Sequence, residues 1–385
     1  MKKYNQIILI LLAKFFLALN FIGMVKEVFL QDSGVDAEVI ILTGFFYQIS
    51  KTLFEIPTGR FADRYGYKRS VGVGIIVQAT SILIMATATN ITALLTFILF
   101  GFGNTFISGA LDALLYEKIT EAANSIKYKI VNYTQYIDMG SRSMALVITP
   151  FMVTTLGYRF VIILSIISLL ISFICIMTVQ EEEPKGSESK SEKVSFGDML
   201  SNTMTAFIDN SQVIGHFLIR KSFTVFDIPL EKFAILIFIK KGFSFEIASS
   251  LFAASLLLYP VFSSISNHLP IKDSDRWLIW SPLIADLCIV VFLFSNNTIV
   301  SLLAYFGSSL VISTSSIHYF MKTNDLIDNK HRATILSIDS LILTFTAAIM
   351  YLIMALLNNH IVILSWVVVI FVVVLNWIGR RLIRD

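Results

Sequence analysis

Asp112 lies in the run Ser108-Gly109-Ala110-Leu111-Asp112-Ala113, and Asp227 follows Thr224-Val225-Phe226. Acids isolated in apolar runs suit one kind of chemistry. Burial favours a neutral carboxyl and a nearby cation favours a charged one, so a change of surroundings takes up or releases a proton. Arg220, Asp227 and Glu231 are spaced seven and four residues apart, which puts a cation and two acids on one helix face. Asp112 and Asp227 are the first candidates for carrying a proton, with Glu231 and Glu27 next. Lys14, Asn20, Arg142 and Arg220 are the polar groups that would line a binding cavity. Two pairs four apart, Asp138 with Arg142 and Lys51 with Glu55, are expected to neutralise each other along their helices. Lys26, Glu27 and Glu117 are expected to reach an interface with their charged ends. Cys175 and Cys288 lie far apart in apolar runs and read as small hydrophobes, and no metal-ligand spacing is present.

Such acids need a matrix that keeps water away, and composition supplies it. Of 385 residues, 56% are hydrophobic and 15% charged, with a mean hydropathy of +0.76. A soluble chain of this length cannot hide that much apolar surface, so its solvent is lipid. Twelve apolar stretches are long enough to cross a bilayer: 5–30, 37–58, 69–89, 91–117, 130–155, 159–179, 211–240, 245–267, 276–295, 298–321, 333–357 and 360–379. They are continuous and do not alternate in period two, which excludes a closed barrel. The opening MKKYNQIILILLAKFF has no small-residue cleavage site, and its apolar run continues past Lys14. It reads as the first membrane helix, not as a leader. The fold class is an all-α membrane protein of twelve transmembrane helices in two six-helix bundles.

Charge sets the orientation. Arg60, Arg64, Lys68, Arg69, Lys118, Lys127, Lys129, Lys272, Arg276, Lys322, Lys330, Arg332, Arg380, Arg381 and Arg384 all fall on one side. The other side gets little more than Arg159, Lys240 and Lys241, and its QDSGVDAE, ATATN, SNN and NNH carry no basic residue. Positive charge resists translocation, so both termini are expected in the cytoplasm of a cell-membrane protein. The net charge of +3 is too small to suggest nucleic acid. After Val179 the run QEEEPKGSESKSEK reads as a flexible tether. Phe196, Met199, Leu200, Thr203 and Phe207 then recur at helical spacing, as in a short amphipathic helix on the inner surface. The domains are therefore 1–179, a linker over 180–210, and 211–385. LLYEKITEAANSIKYKIVNYTQYID and IHYFMKTNDLIDNKHRATILSIDSL echo one another at matching places in the two halves, and six helices on each side of a tether is a transporter plan.

One loop is too elaborate for a connection. PTGRFADRYGYKR packs five charges and two glycines, Gly59 and Gly66, between two spans. Gly59-x-Phe61-Ala62-Asp63-Arg64-x-Gly66-x-Lys68-Arg69 resembles the conserved loop between helices two and three of the major facilitator superfamily. Glu55-Ile56-Pro57-Thr58 and Arg332-Ala333-Thr334-Ile335-Leu336-Ser337 are similar to bacterial members, exporters in particular. The resemblance runs the whole chain. It implies that Asp63 meets the start of the eleventh helix, latching the cytoplasmic side until the protein opens inward. A helix start is a good place for an anion. Gly59 would allow a close helix approach and Gly66 a sharp reversal, while Arg64, Lys68 and Arg69 would meet anionic head groups.

In proteins of that kind, helices one, four, seven and ten line the cavity, and these carry Lys14, Asn20, Glu27, Asp112, Arg220, Asp227 and Glu231. The resemblance implies proton-coupled export of amphipathic small molecules or drugs by alternating access, by a monomer whose partners are a small-molecule substrate, protons and lipids. The 32 phenylalanines suit an adaptable apolar pocket. Two departures bear on direction and coupling. The run SRSMALVITPFMVTTLG does not reproduce the glycine- and proline-rich fifth helix of drug–proton antiporters, and TFILFGFGNTF lacks the basic residue that many proton-coupled relatives carry in the fourth. An uptake symporter coupled to protons or sodium is the alternative, and a non-transporting membrane receptor is the third class. With no nucleophile motif, phosphate-binding loop or nucleotide motif, neither an enzyme nor a cofactor is expected.

Overall fold

Ile163, Ile167, Leu170 and Ile174 are exposed, while Val161, Ser165, Ser168, Leu169, Ser172 and Ile176 are buried. Steps of three and four mark a helix with one greasy face for lipid and one face, rich in small hydroxyls, for its neighbours. In a bilayer the hydrophobic effect does not draw helices together, so close packing and hydrogen bonds must. Ser172 donates to the Ala13 carbonyl at 2.9 Å and Ser168 to the Phe16 carbonyl at 2.6 Å. Those two bonds tie the sixth span to the first.

The computed structural model describes residues 2–122, 127–181, 211–266, 275–326, 332–357 and 361–384. Among them are twelve helices and no strand: α1 Lys2–Ala18, α2 Phe21–Asp32, α3 Ala37–Tyr65, α4 Tyr67–Met85, α5 Asn90–Ala122, α6 Lys127–Thr178, α7 Ser211–Lys240, α8 Phe245–Ser266, α9 Asp275–Phe294, α10 Thr298–Leu326, α11 Arg332–Leu356 and α12 Ile361–Arg384. Two of these differ from one helix per pass. The first crossing is broken into α1 and α2. The 52 residues of α6 hold the fifth and sixth crossings, separated at Gly157, whose φ of 80° interrupts the helix. Eight stretches of the described residues are long and apolar enough to cross a membrane, and Tyr136–Thr178, at 43 residues, is long enough for two passes. The surface helix expected over 196–207 and the tether before it lie outside the described residues.

The break in the first crossing is stitched by side chains. Asn20 caps α2, its side-chain oxygen accepting from the Gly23 N–H at 3.1 Å. The Ile22 N–H, which has lost its helical acceptor, donates to Ser165 Oγ at 2.9 Å. Val25, at φ −127°, is a second irregular residue in α2. Both orphan donors are thus satisfied, as the apolar interior requires.

The chain divides into two compact units, Met1–Ser187 with Ala234–Leu257, and Glu188–Phe233 with Leu258–Asp385. In the first unit the loops at one end are pinned together. Tyr158 donates to Asp32 at 2.5 Å, and Asn90 donates to Asp36 at 2.6 Å. At the other end, Gln180 N–H donates to Gln6 at 2.7 Å. Between the ends α4 and α5 pack glycine against glycine: a Cβ on Gly74 would lie 2.7 Å from the Gly103 carbonyl. In the second unit α7 and α12 make the same kind of contact, a Cβ on Gly215 falling 2.7 Å from the Gly379 carbonyl. Phe292 and Tyr305 stack across the α9–α10 hairpin at 5.1 Å.

Candidate functional site

The charged stretch after Pro57 is helix and not loop. Gly59 through Tyr65 continue α3, and the reversal is confined to Gly66, whose φ of 98° and ψ of 150° is glycine territory. Nothing in Gly-Arg-Phe-Ala-Asp-Arg opposes a helix outside the membrane, where charges are solvated. The expected close approach at Gly59 does not occur within its own unit, since no described atom of that unit lies within 4 Å of a Cβ placed there. Asp63 is exposed. Arg64 lies over the Tyr65 ring, 5.3 Å from its centroid, and Arg69 is exposed. The start of α11, which Asp63 is expected to meet, belongs to the other unit.

A different acid serves a helix start here. Glu181, just past the end of α6, accepts from the Tyr67 N–H at 2.6 Å and the Lys68 N–H at 3.0 Å. Gly66 offers no side-chain cap, so Glu181 satisfies two orphan donors of α4 at the positive end of its dipole. Lys68 reaches back the other way, its Nζ donating to the Val179 carbonyl at 2.9 Å. A Cβ at Gly66 would sit 2.9 Å from Glu181 Oε2, so glycine also makes room for the clasp.

Deeper in the first unit, Lys14 on α1 and Asp112 on α5 form an ion pair at 2.5 Å, with side-chain exposures of 17% and 71%. The sequence places them in separate roles, cation and acid, and the structure joins them. Asn20 is buried as the cap of α2. Glu27 is 6% exposed and stands 4.0 Å from Lys26 Nζ, so it does not reach an interface as expected. The break before α2 and the kink at Val25 turn that face inward. Lys26 itself lies over the rings of Phe97 and Phe100, at 5.5 and 5.8 Å. Arg142 pairs with Asp138 at 3.1 Å, four residues apart, as expected. Lys51 does not turn to Glu55. It sits 5.8 Å from the Tyr47 ring, and Glu55 Oε2 is buried with no hydrogen bond, because the aromatic one turn earlier offers the ammonium a better-placed face.

In the second unit Asp227 and Glu231 lie on α7, where Glu231 is exposed. The Arg220 side chain lies outside the described residues. Next to Asp227, the Ile228 carbonyl accepts from the Tyr351 hydroxyl of α11 at 3.3 Å, and Lys232 Nζ lies 5.1 Å from the Tyr351 ring centroid. Sequence reasoning missed two acids, Glu181 and Asp286. Glu181 is hidden among three consecutive glutamates in a run that reads as tether. Asp286 is a lone acid in the apolar run Leu283-Ile284-Ala285-Asp286-Leu287-Cys288, a signal that was present but lay on a helix not expected to line a cavity.

Helices long and apolar enough to cross a bilayer, in two compact units, define a multi-pass membrane protein. A family model described as Major Facilitator Superfamily matches residues 7–379, and the chain belongs to that superfamily. Among solved structures, a bacterial homolog to the human lysosomal transporter Spinster, in an inward-facing and unoccupied conformation, is similar at 13% identity and a TM-score of 0.73. That match covers 99% of this chain and 97% of that one. A D-xylose–proton symporter is similar at 14% identity, 98% and 96% coverage and a TM-score of 0.70. A peptide transporter in complex with sulfate gives 13%, 99% and 95%, and 0.72. At such identities the likeness is one of fold. No curated protein matches the chain by sequence. As a secondary transporter in a lipid environment, it takes small molecules as its substrates.

Proposed function

We propose that the chain exports amphipathic small molecules by alternating access, driven by protons flowing inward. The observation that carries this reading is the Lys14–Asp112 pair. One ion pair joins α1 to α5, so a movement that parts the two helices also opens the pair, and a pair that opens and closes within the cycle is a natural place to couple a proton. Phe54, Phe102, Phe106 and Phe61 stack in a continuous series, with centroids 4.6, 5.1 and 5.3 Å apart along it. Such a wall suits apolar cargo of varied shape. A second reading, uptake by symport, is favoured by the Asn104–Tyr47 hydrogen bond of 2.7 Å, a pair of groups suited to a hydroxylated solute. The test uses everted vesicles with an acid lumen and compounds whose toxicity falls when the gene is expressed. Export by antiport predicts that adding such a compound raises luminal pH. No proton movement on addition would sink that reading.

In this proposal the protein is a monomer in the plasma membrane, with bundles over 1–179 and 211–385, a tether over 180–210 and both termini cytoplasmic. Ser187→Cys should therefore be labelled by an impermeant maleimide in everted vesicles and not in intact cells; labelling confined to intact cells refutes the orientation. Gly59, Asp63, Arg64, Gly66, Lys68 and Arg69 form the gate. Asp63→Asn should leave the amount of protein in the membrane largely intact while lowering transport and raising inward-facing accessibility. Wild-type transport with unchanged accessibility would remove Asp63 from the gate.

A further inference from the structure

Lys51 and Glu55 stand four residues apart on α3 and do not meet. The Lys51 ammonium lies 5.8 Å from the centre of the Tyr47 ring. Glu55 Oε2 is buried with no hydrogen bond, and so is Oε1 of Gln48, three residues before Lys51. Two properties of a helix account for the separation. Side chains lean toward the helix N-terminus, so Lys51 leans back over Tyr47. A lysine that precedes its acid by four residues also has the weaker of the two orders. Tyr47 is fixed from outside the helix, its hydroxyl oxygen accepting from the Asn104 amide of α5 at 2.7 Å.

The direction of Lys51 excludes a reach for the interface. The apolar part of α3 ends near Thr58, before the charges of Arg60, Asp63 and Arg64, and Thr58 is about 10 Å from Lys51 along the axis. An ammonium seeking head groups would extend that way. This one extends a turn deeper. Nor does it face lipid. Leu53, half a turn round the helix, is 64% exposed, while Gly44, Thr58 and Ala62, which share the Lys51 side of α3, are buried. Within that buried line Lys51 and Glu55 are only half-buried, so room remains beside them. Charged neighbours in the same unit are engaged elsewhere: Asp112 of α5 pairs with Lys14, and Lys68 of α4 donates to the Val179 carbonyl.

Charged groups inside a membrane span are costly to leave unpaired, and a molecule that carries both charges satisfies both. We propose that Lys51 and Glu55 form a binding site for zwitterionic solutes, Lys51 taking an anionic group and Glu55 an ammonium. Lys51 brings N–H donors and Glu55 acceptor oxygens. Cβ atoms four residues apart on a helix are about 5–6 Å apart, a gap that one ring or a short chain bridges. Phe54 lies between the two and packs on Phe102 of α5 at 4.6 Å, which gives the apolar body of such a solute a wall. Gln48 Oε1 offers a further acceptor. Tyr47 keeps the ammonium off its own acid and so keeps both groups available. The site narrows the amphipathic cargo of the export reading above and rests on that reading for transport, though not for binding.

The test uses the full chain purified into lipid nanodiscs at neutral pH, where no gradient acts. Its probes share one ring: zwitterionic 4-(aminomethyl)benzoate, cationic benzylamine and anionic benzoate. Equilibrium dialysis should find the zwitterion bound at least about tenfold more tightly than either relative, since each of those lacks one charge-assisted contact. Equal affinities, or no saturable binding of the zwitterion, overturn the proposal. That comparison needs only wild-type protein, so a variant that fails to fold does not leave the matter open. Lys51→Gln should weaken zwitterion binding about tenfold and leave benzylamine unchanged, and Glu55→Gln should do the same while leaving benzoate unchanged. Wild-type affinity for the zwitterion in either folded variant overturns the assignment. Zwitterion-selective binding by a protein that moves nothing in vesicles would uphold the site and sink only the export reading. Export of a toxic compound without that selectivity would do the reverse.

Discussion

Asp112→Asn is expected to abolish uphill transport while substrate binding survives, and Lys14→Gln to come close to the same defect. Removing the acid leaves Lys14, which is 17% exposed, as a cation without its partner, and removing the lysine takes away the group that ties Asp112 to α1. The energy of the pair itself is modest, because Asp112 is 71% exposed and solvent screens it. A stability effect of under about 1 kcal/mol is expected from either change, so loss of function would not be loss of fold. The double variant decides between two roles. If the pair only neutralises itself, Lys14→Gln/Asp112→Asn contains no unpaired charge and regains most of the wild-type rate. If Asp112 carries the proton, the double variant stays at or below a tenth of that rate. Proton-driven uptake into everted vesicles reads the difference, and full recovery would assign the pair to packing.

The clasp at Gly66 carries the other large expectation. Glu181→Ala strips α4 of acceptors for the Tyr67 and Lys68 N–H groups, now bonded at 2.6 and 3.0 Å. Hydrogen bonds to a charged group contribute about 1.5–3 kcal/mol each when buried. Glu181 is only half-buried, so a total loss of about 1.5–3 kcal/mol is the reasonable scale. Glu181→Gln keeps one carbonyl acceptor and should recover part of it. Glu182→Ala and Glu183→Ala, in the same acidic run, should stay within about 0.5 kcal/mol of wild type. Thermal unfolding of the purified protein in detergent checks all four. Equal losses at the three glutamates would mean that bulk negative charge matters there and that the two hydrogen bonds do not.

Much of the architecture could be read from the chain because lipid enforces simple rules. Apolar length marked where the helices begin to within a few residues. What could not be read was where helices end outside the membrane. The stretch from Gly59 to Tyr65 looks like a loop by its charges, yet charges do not break a helix in water, and only Gly66 has the backbone to do so. The break at Asn20 was equally silent, because Leu19-Asn20 carries neither glycine nor proline and is held open by Ser165, a residue of a distant helix. Lys14 and Asp112 were each legible as candidates but not as a pair, since partnership is a property of packing. Asp286 was legible and was passed over, because cavity helices were chosen by resemblance and a lone buried acid was sought only on those.

The side-chain stitching of the first crossing has a mechanical meaning. Inside a regular helix an N–H is bound to a carbonyl that cannot leave without unwinding a turn. The donors of Ile22 and Gly23 are bound instead to Ser165 Oγ and Asn20 Oδ1, which single-bond rotations of two side chains can withdraw. The joint can therefore flex, slide or admit water at the cost of a rotamer change, while the helices on either side stay wound. Compliance is concentrated near the middle of the crossing, at the joint before α2 and again at the kink of Val25, so α1 and the later turns of α2 behave as two rods with a pinned segment between them. Lys14 lies on one rod and Glu27 on the other. A rotation about the pin would move one of those charges relative to its surroundings and leave the other where it was.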